Sequence, residues 1–286
     1  MIYITYKEHN IGGLGHSLCD WLSCYILSKI LNYPFIFEKL PVWSNQNRSM
    51  DVNNSNNKYF WNDELNLDKL NTEKLNVVDS NNLNLSDFKR IPIKIKSFEI
   101  VEINKFKTFI EINNKKYKNI IYYLDGNTRI YLRSLLEYDN INNTQIRTNI
   151  INDLNNVYYL KHKKLDKEKK IINIYLRYGD LRNNRIKKKL TVDNNYELEQ
   201  LKKLESELDF NNYIINIISA GKMKDLNDIK KNFSSFNSIN YLFNKEQGKV
   251  FYLMTQSDYL IFGNYSSFPY FASLYCTGII LTTMNL

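Results

Sequence analysis

The sequence predicts an α/β protein in which two parallel-sheet domains face each other across a cleft. Three observations carry that expectation. The run Ile171-Ile172-Asn173-Ile174-Tyr175-Leu176 is almost wholly apolar and rich in β-branched residues, the pattern of a central strand in a parallel sheet. From residue 171 onward, strand-like and helix-like segments alternate with little interruption, as βαβ units do. At the N-terminus a strand, a glycine-rich loop, a helix and a second strand follow in the same order. The 286 residues suit two domains of ordinary size.

Taken in order, residues 2–6 read as a strand and Gly12-Gly13-Leu14-Gly15 as a loop. Residues 16–31 read as an amphipathic helix. Asn32-Tyr33-Pro34 then stops that helix and opens a strand over 35–37. The Asn-rich stretch 44–57 reads as a surface loop. Residues 91–112 and 118–123 alternate apolar and polar side chains, which predicts hairpin or edge strands. Helices are expected over 129–138 and 144–159. The lysine-rich stretch 161–170 reads as a linker, which divides the chain into domains 1–160 and 161–286. Beyond it, strands are expected over 171–176, 213–219, 239–242, 259–262 and 279–281. Helices are expected between them over 193–208, 222–232, 247–256 and 267–275. No repeat of solenoid spacing interrupts this order.

Composition narrows the function classes. A net charge of +9 is compatible with an anionic ligand. The basic runs Lys161-His162-Lys163-Lys164, 167–170 and 187–189 carry no interleaved aromatic platform and no nucleic-acid module, so they read as solvated surface. No nucleic-acid partner is expected. Cys19, Cys24 and Cys276 have neither metal-ligand spacing nor an even count for disulfides, which points to a reducing compartment. With no leader-like start and no apolar segment of membrane length, a cytoplasmic protein without an integral membrane segment is expected.

Three segments carry candidate chemistry. Arg177 closes its strand, and ligands of open α/β sheets sit beyond the carboxyl ends of strands. Its guanidinium can meet a phosphate there, or can pair structurally with Asp180. In the second segment, a strand over 259–262 ends at Gly263, followed by Asn264-Tyr265-Ser266-Ser267-Phe268-Pro269. Ser266 or Ser267 would cap a helix with Pro269 in its first turn, and a helix start offers free N–H groups to an anion. The third segment is Gly12-Gly13-Leu14-Gly15, which lacks dinucleotide and phosphate-loop spacing but permits close backbone approach to a ligand. His16 follows it in the helix's first turn.

In this order the three segments resemble the signature of the GT-B fucosyltransferase superfamily, nearest to the alpha-1,2-fucosyltransferases and more distantly to peptide O- and alpha-1,6-fucosyltransferases. Gly12-Gly13-Leu14-Gly15-His16 resembles G-G-L-G-N, and Tyr175-Leu176-Arg177-Tyr178-Gly179-Asp180 resembles H-x-R-R-G-D. Met254 through Ser257-Asp258, then Asn264-Tyr265-Ser266-Ser267-Phe268, resembles M-x-x-x-D followed by N-S-S-F-S. The resemblance implies a GT-B-like fold with an acceptor-side first domain and a donor-binding second domain. It implies inverting transfer from a nucleotide-diphosphate sugar, GDP-fucose in the leading reading, to a glycan hydroxyl. By position it assigns Arg177 to the diphosphate, with Asn264, Ser266 and Ser267 beside the phosphates. Gly12, Gly13, Gly15, Asp180 and Phe268 complete the donor-binding candidates.

No Asp-x-Asp pair occurs in the chain, so metal independence and no cofactor beyond the donor are expected. The general base has no matched position; His16, Asp20 one turn later, and Glu38 are candidates. The chain departs from the family pattern at Tyr175, Tyr178 and His16. Two alternatives therefore stay open: a UDP- or dTDP-linked deoxysugar such as rhamnose as donor, and a degenerate glycan- or nucleotide-binding protein without catalysis.

Overall fold

The computed structural model of the protein describes residues 1–6, 14–37, 60–70, 76–93, 100–124, 144–177, 195–263 and 267–283; at 14–17, 60–62, 100, 124 and 144–147 the backbone alone is described. These residues fall into two compact units that change over between Lys161 and His162.

The first unit holds a five-stranded sheet. Its strands are β1 (Ile2–Thr5), β2 (Phe35–Phe37), β3 (Val77–Asp79), β4 (Lys89–Ile93) and β5 (Ile120–Leu124). They lie in the order β3-β2-β1-β5-β4, and every pair is parallel. The helices are α1 (Leu14–Leu31), α2 (Phe60–Leu65), α3 (Ile100–Asn114) and α4 (Thr144–Lys161). On one face Trp21 and Tyr25 of α1 pack edge-on against Phe35, and Trp21 also meets Phe37. On the other, Tyr3, Ile36 and Ile121 form a core with Val78, Leu83, Leu85 and Phe88. Helix α1 stops where expected: Asn32 takes the left-handed conformation (φ 55°) and the Tyr33 N–H returns to Ser28 O at 3.0 Å.

Two expectations for this unit are corrected. Helix α1 is not amphipathic, because every residue from Leu18 to Ser28 is buried. It is a core helix, covered by the sheet on one side and touched by α4 on another. Residues 91–112 are not a run of strands. Among the described residues of this range only the end of β4 is extended, and residues 100–112 belong to α3. Ile103, Phe106 and Ile110 are buried at helical spacing, while exposed Val101 and Ile112 supply the apolar residues that mimic alternation. Nor is β5 an edge strand or half of a hairpin. It lies between β1 and β4, with Ile120, Ile121 and Tyr122 all fully buried. A parallel β4–β5 pair needs a crossover, and α3 supplies it. The expected loop over 44–57 and helix over 129–138 lie outside the described residues.

The second unit repeats the theme. Its strands are β6 (Lys170–Arg177), β7 (Tyr213–Ala220), β8 (Ile239–Phe243), β9 (Tyr259–Phe262) and β10 (Ile279–Thr282). The helices are α5 (Asn195–Glu207), α6 (Met223–Asn232), α7 (Gln247–Thr255) and α8 (Ser267–Ser273). All strand pairs are parallel, in the order β10-β9-β6-β7-β8. That is the doubly wound order 3-2-1-4-5, with β6 as its first strand. Ile172, Ile174 and Leu176 face a core with Leu201, Leu204, Ile229 and Phe233. The expected linker is docked onto this unit: Leu165 N–H donates to Gln256 Oε1 (3.0 Å), and Lys167 Nζ meets Asp258 Oδ2 (2.6 Å).

Candidate functional site

In the second sheet the chain winds from β6 outward through β7 and β8, then returns to β9 on the opposite side of β6. The topological switch point therefore lies between β6 and β9, and ligands of doubly wound sheets bind outside the carboxyl ends there. Arg177 is the last residue of β6 and is half-buried. Gly263, just after β9, lies one residue below Arg177 along the β6–β9 register. Helix α8 then begins at Ser267, with Phe268 next; both are half-buried. Ser267 is thus the first helical residue rather than the cap. Asn264, Tyr265 and Ser266 lie outside the described residues, as do Tyr178, Gly179 and Asp180.

The strand that carries Arg177 is held by an amide ladder along the same face of the sheet, buried at Asn173 and Asn216 and exposed at Asn240. Asn216 Nδ2 of β7 donates to Asn173 Oδ1 of β6 at 2.9 Å, and Asn240 Nδ2 of β8 donates to Asn216 Oδ1 at 3.2 Å. Asn173 Nδ2 continues the chain to Leu253 O (2.7 Å) and Ser257 Oγ (2.9 Å). The three asparagines are in register across adjacent strands. A one-residue slip would throw all three off this face, so the ladder fixes β6, and with it the height of Arg177. Side chains alternate along a strand, which puts Asn173, Tyr175 and Arg177 on one face.

A carboxylate that the sequence reading did not single out also reaches this corner. Glu197, in the first turn of α5, is buried, and its Oε1 accepts the Gly263 N–H at 2.9 Å. A Cβ on Gly263 would stand 2.9 Å from the same oxygen, so glycine is what the contact requires. In sequence Glu197 looks like any acidic residue in a helix's first turn, and no linear signal marks it. The ladder did leave one: the tetrapeptide Ile-Ile-Asn-Ile occurs at 171–174 and again at 214–217.

In the first unit, the switch point falls between β1 and β5. Gly15 and His16 lie in the first turn of α1, with the His16 side chain outside the described residues, as are Gly12, Gly13 and Glu38. Asp20 is described and buried, and among the described residues its Oδ1 has no hydrogen-bond partner. Burial pushes its carboxyl up from 3.8 to about 7. A carboxylate poised near neutrality suits proton acceptance. At the other end of α1 the carboxylate of Asp153 is engaged, accepting from Tyr25 OH (3.3 Å) and lying 3.9 Å from Lys29 Nζ.

Among the described residues no cluster of His, Cys, Asp or Glu is arranged to hold a metal, and no helix is long and apolar enough to cross a membrane. Cys19 and Cys24 are buried free thiols.

Two Rossmann-like units in one chain, one with an arginine at its switch point, define a GT-B-like α/β protein. Among solved structures the chain is similar to a mutant of Arabidopsis thaliana FUT1 in complex with GDP, at 13% identity over 98% of this chain and 69% of that one, with a TM-score of 0.49. It is also similar to POFUT1 in complex with GDP-fucose (11% identity, 100% and 98% covered, TM-score 0.49) and with GDP (10%, 100% and 98%, 0.46). No protein-family model matches the chain, and no curated protein matches it.

Proposed function

We propose that this protein is an inverting, metal-independent glycosyltransferase that moves a deoxysugar, fucose from GDP-fucose, onto a glycan hydroxyl. The observation that carries the reading is Arg177, set by a parallel strand and its amide ladder at the switch point of a Rossmann-order sheet. The donor nucleotide and sugar are those the motif resemblance implies. In the proposed reaction the acceptor hydroxyl oxygen attacks the anomeric carbon as the bond from that carbon to the diphosphate oxygen breaks. The acceptor's proton passes to the Asp20 carboxylate, and the electron pair of the broken bond leaves with the diphosphate. Negative charge grows on that leaving group. The Arg177 guanidinium and the N–H groups at the start of α8 are proposed to stabilise it without a metal. Gly263 is proposed to let the donor approach the backbone closely.

The test is a thermal-shift panel of GDP, UDP and dTDP, each with magnesium and with EDTA, followed by transfer assays with the matching sugars. GDP at about 100 times its Kd should raise the Tm by a few degrees under both conditions. Arg177→Ala should abolish the shift and the transfer. Unchanged turnover in Arg177→Ala, or a shift with UDP in place of GDP, would sink the assignment.

A further inference from the structure

At the carboxyl end of β6 the side chain two residues before Arg177, on the same face, is Tyr175. Its ring meets that of Phe268, with centroids 6.2 Å apart and planes 58° apart. Both residues are half-buried, so solvent reaches this pair. Beneath them the layer is closed: Phe251 meets Phe268 with centroids 5.9 Å and planes 52° apart and is fully buried, as are Phe262 and Phe271. Phe262 is also the β9 residue in register with Tyr175. The pair is therefore the half-buried edge of an aromatic cluster at the switch point, between the strand that carries Arg177 and the helix that begins at Ser267. Two residues of a parallel strand advance by about 6.6 Å. That advance is the spacing of the two residues' backbone positions along β6.

We infer that Tyr175 and Phe268 form an aromatic shelf that takes the flat or apolar face of an uncharged ring joined to the diphosphate at Arg177. The inference rests on the proposed diphosphate site. It assigns a role to one of the places where this chain departs from the motif it resembles: Tyr175 is a specificity residue, built into a ring contact. Two rings of a nucleotide sugar have such a face, the nucleobase and the transferred sugar, and the probes separate them.

The experiment is calorimetric titration of pyrophosphate, GDP and GDP-fucose into the wild type, Tyr175→Ala, Tyr175→Phe and Phe268→Leu, with folding checked by thermal unfolding. Aromatic–ring stacking sets the expected scale. Tyr175→Ala should bind pyrophosphate within twofold of the wild type. It should lose about tenfold in affinity for GDP if the shelf holds the base, or for GDP-fucose alone if it holds the sugar. Tyr175→Phe should match the wild type, because the ring face makes the contact. If Tyr175→Ala does not fold, Phe268→Leu carries the same comparison. Equal affinity for all three probes in a folded variant overturns the shelf and leaves the diphosphate site standing. An equal loss for pyrophosphate also overturns it, since the effect would then be on Arg177. A wild type that binds none of the three overturns both.

Discussion

Asp20 offers the sharpest quantitative test, because one substitution probes both its burial and its chemistry. Its carboxyl is pushed up from 3.8 to about 7 by burial. A raised carboxyl means that the folded protein binds more protons than the unfolded chain between those two values. Stability therefore falls as pH rises through that window and levels off above pH 7. A shift of that size corresponds to a destabilisation of about 4 kcal/mol when the group is fully ionised, more than half of which develops between pH 5 and pH 8. Asp20→Asn keeps the shape and removes the charge. Urea unfolding of both proteins at pH 5 and pH 8 reads the difference directly. The Asn variant should gain on the wild type by about 2–3 kcal/mol on going from pH 5 to pH 8. In the transfer assay it should lose roughly 100-fold or more in turnover, as removal of a general base does. An identical stability difference at the two pH values would show that Asp20 titrates like an exposed aspartate, and the reasoning would fall.

Arg177→Lys keeps the charge but loses the planar fork, so turnover should drop at least about tenfold while some GDP-induced thermal shift survives; full activity would mean that charge alone suffices. Asn216→Leu removes the middle of the amide ladder and leaves Asn173 Oδ1 without its donor, which should lower stability by about 1–3 kcal/mol in chemical denaturation. The double variant Asn173→Leu, Asn216→Leu should be less destabilised than the sum of the two single ones, because both polar partners then go together. Strict additivity would deny the ladder any cooperative role. Gly278→Ala would put a Cβ 2.3 Å from Ser257 O and 2.5 Å from Asp258 O, both backbone atoms. It should cost about 1–3 kcal/mol and show as a lowered Tm, with GDP affinity at fixed temperature unchanged.

The second unit was legible in the sequence almost element by element, since each of its strands is a short apolar run bounded by turn residues. Periodicity failed in the first unit for a physical reason. Helix α3 exposes Val101 and Ile112 as well as burying Ile103, Phe106 and Ile110, so its apolar residues mark no single face. Helix α1 is buried on all sides, which erases the polar stripe that would have defined its orientation. β3, three residues long and half-buried, is too short to stand out from the Asn-rich sequence around it. At the site, Arg177 and Ser267 could be read because strand ends and helix starts leave local signatures. The Glu197–Gly263 contact spans 66 positions and has no local signature, so only the fold brings it into view.

The segment from Met254 to Asp258 supports the strand that carries Arg177. Met254 is fully buried, and Asp258 lies at the amino end of the sheet, away from Arg177. There Asp258 Oδ2 accepts the Ile171 N–H at 2.7 Å and the Lys167 ammonium at 2.6 Å, and the backbone N–H groups of Asp258 and Ile279 bond to Ile171 O and Asp258 O. One residue thus pins the start of β6 and the docked segment before it through its carboxylate, and the start of β10 through its backbone carbonyl. The amide ladder pins the middle of β6, and Ser219 Oγ donates to Leu176 O at 2.8 Å, one residue before Arg177. β6 is held at its foot, its centre and its tip, each time by a hydrogen bond that a shift of register would break. A guanidinium that must meet a diphosphate at fixed distance gains from such a strand, because preorganised charge does not have to be reoriented as the reaction proceeds. The segment around Asp258 therefore serves the proposed chemistry by fixing the strand that carries Arg177, without touching the ligand itself.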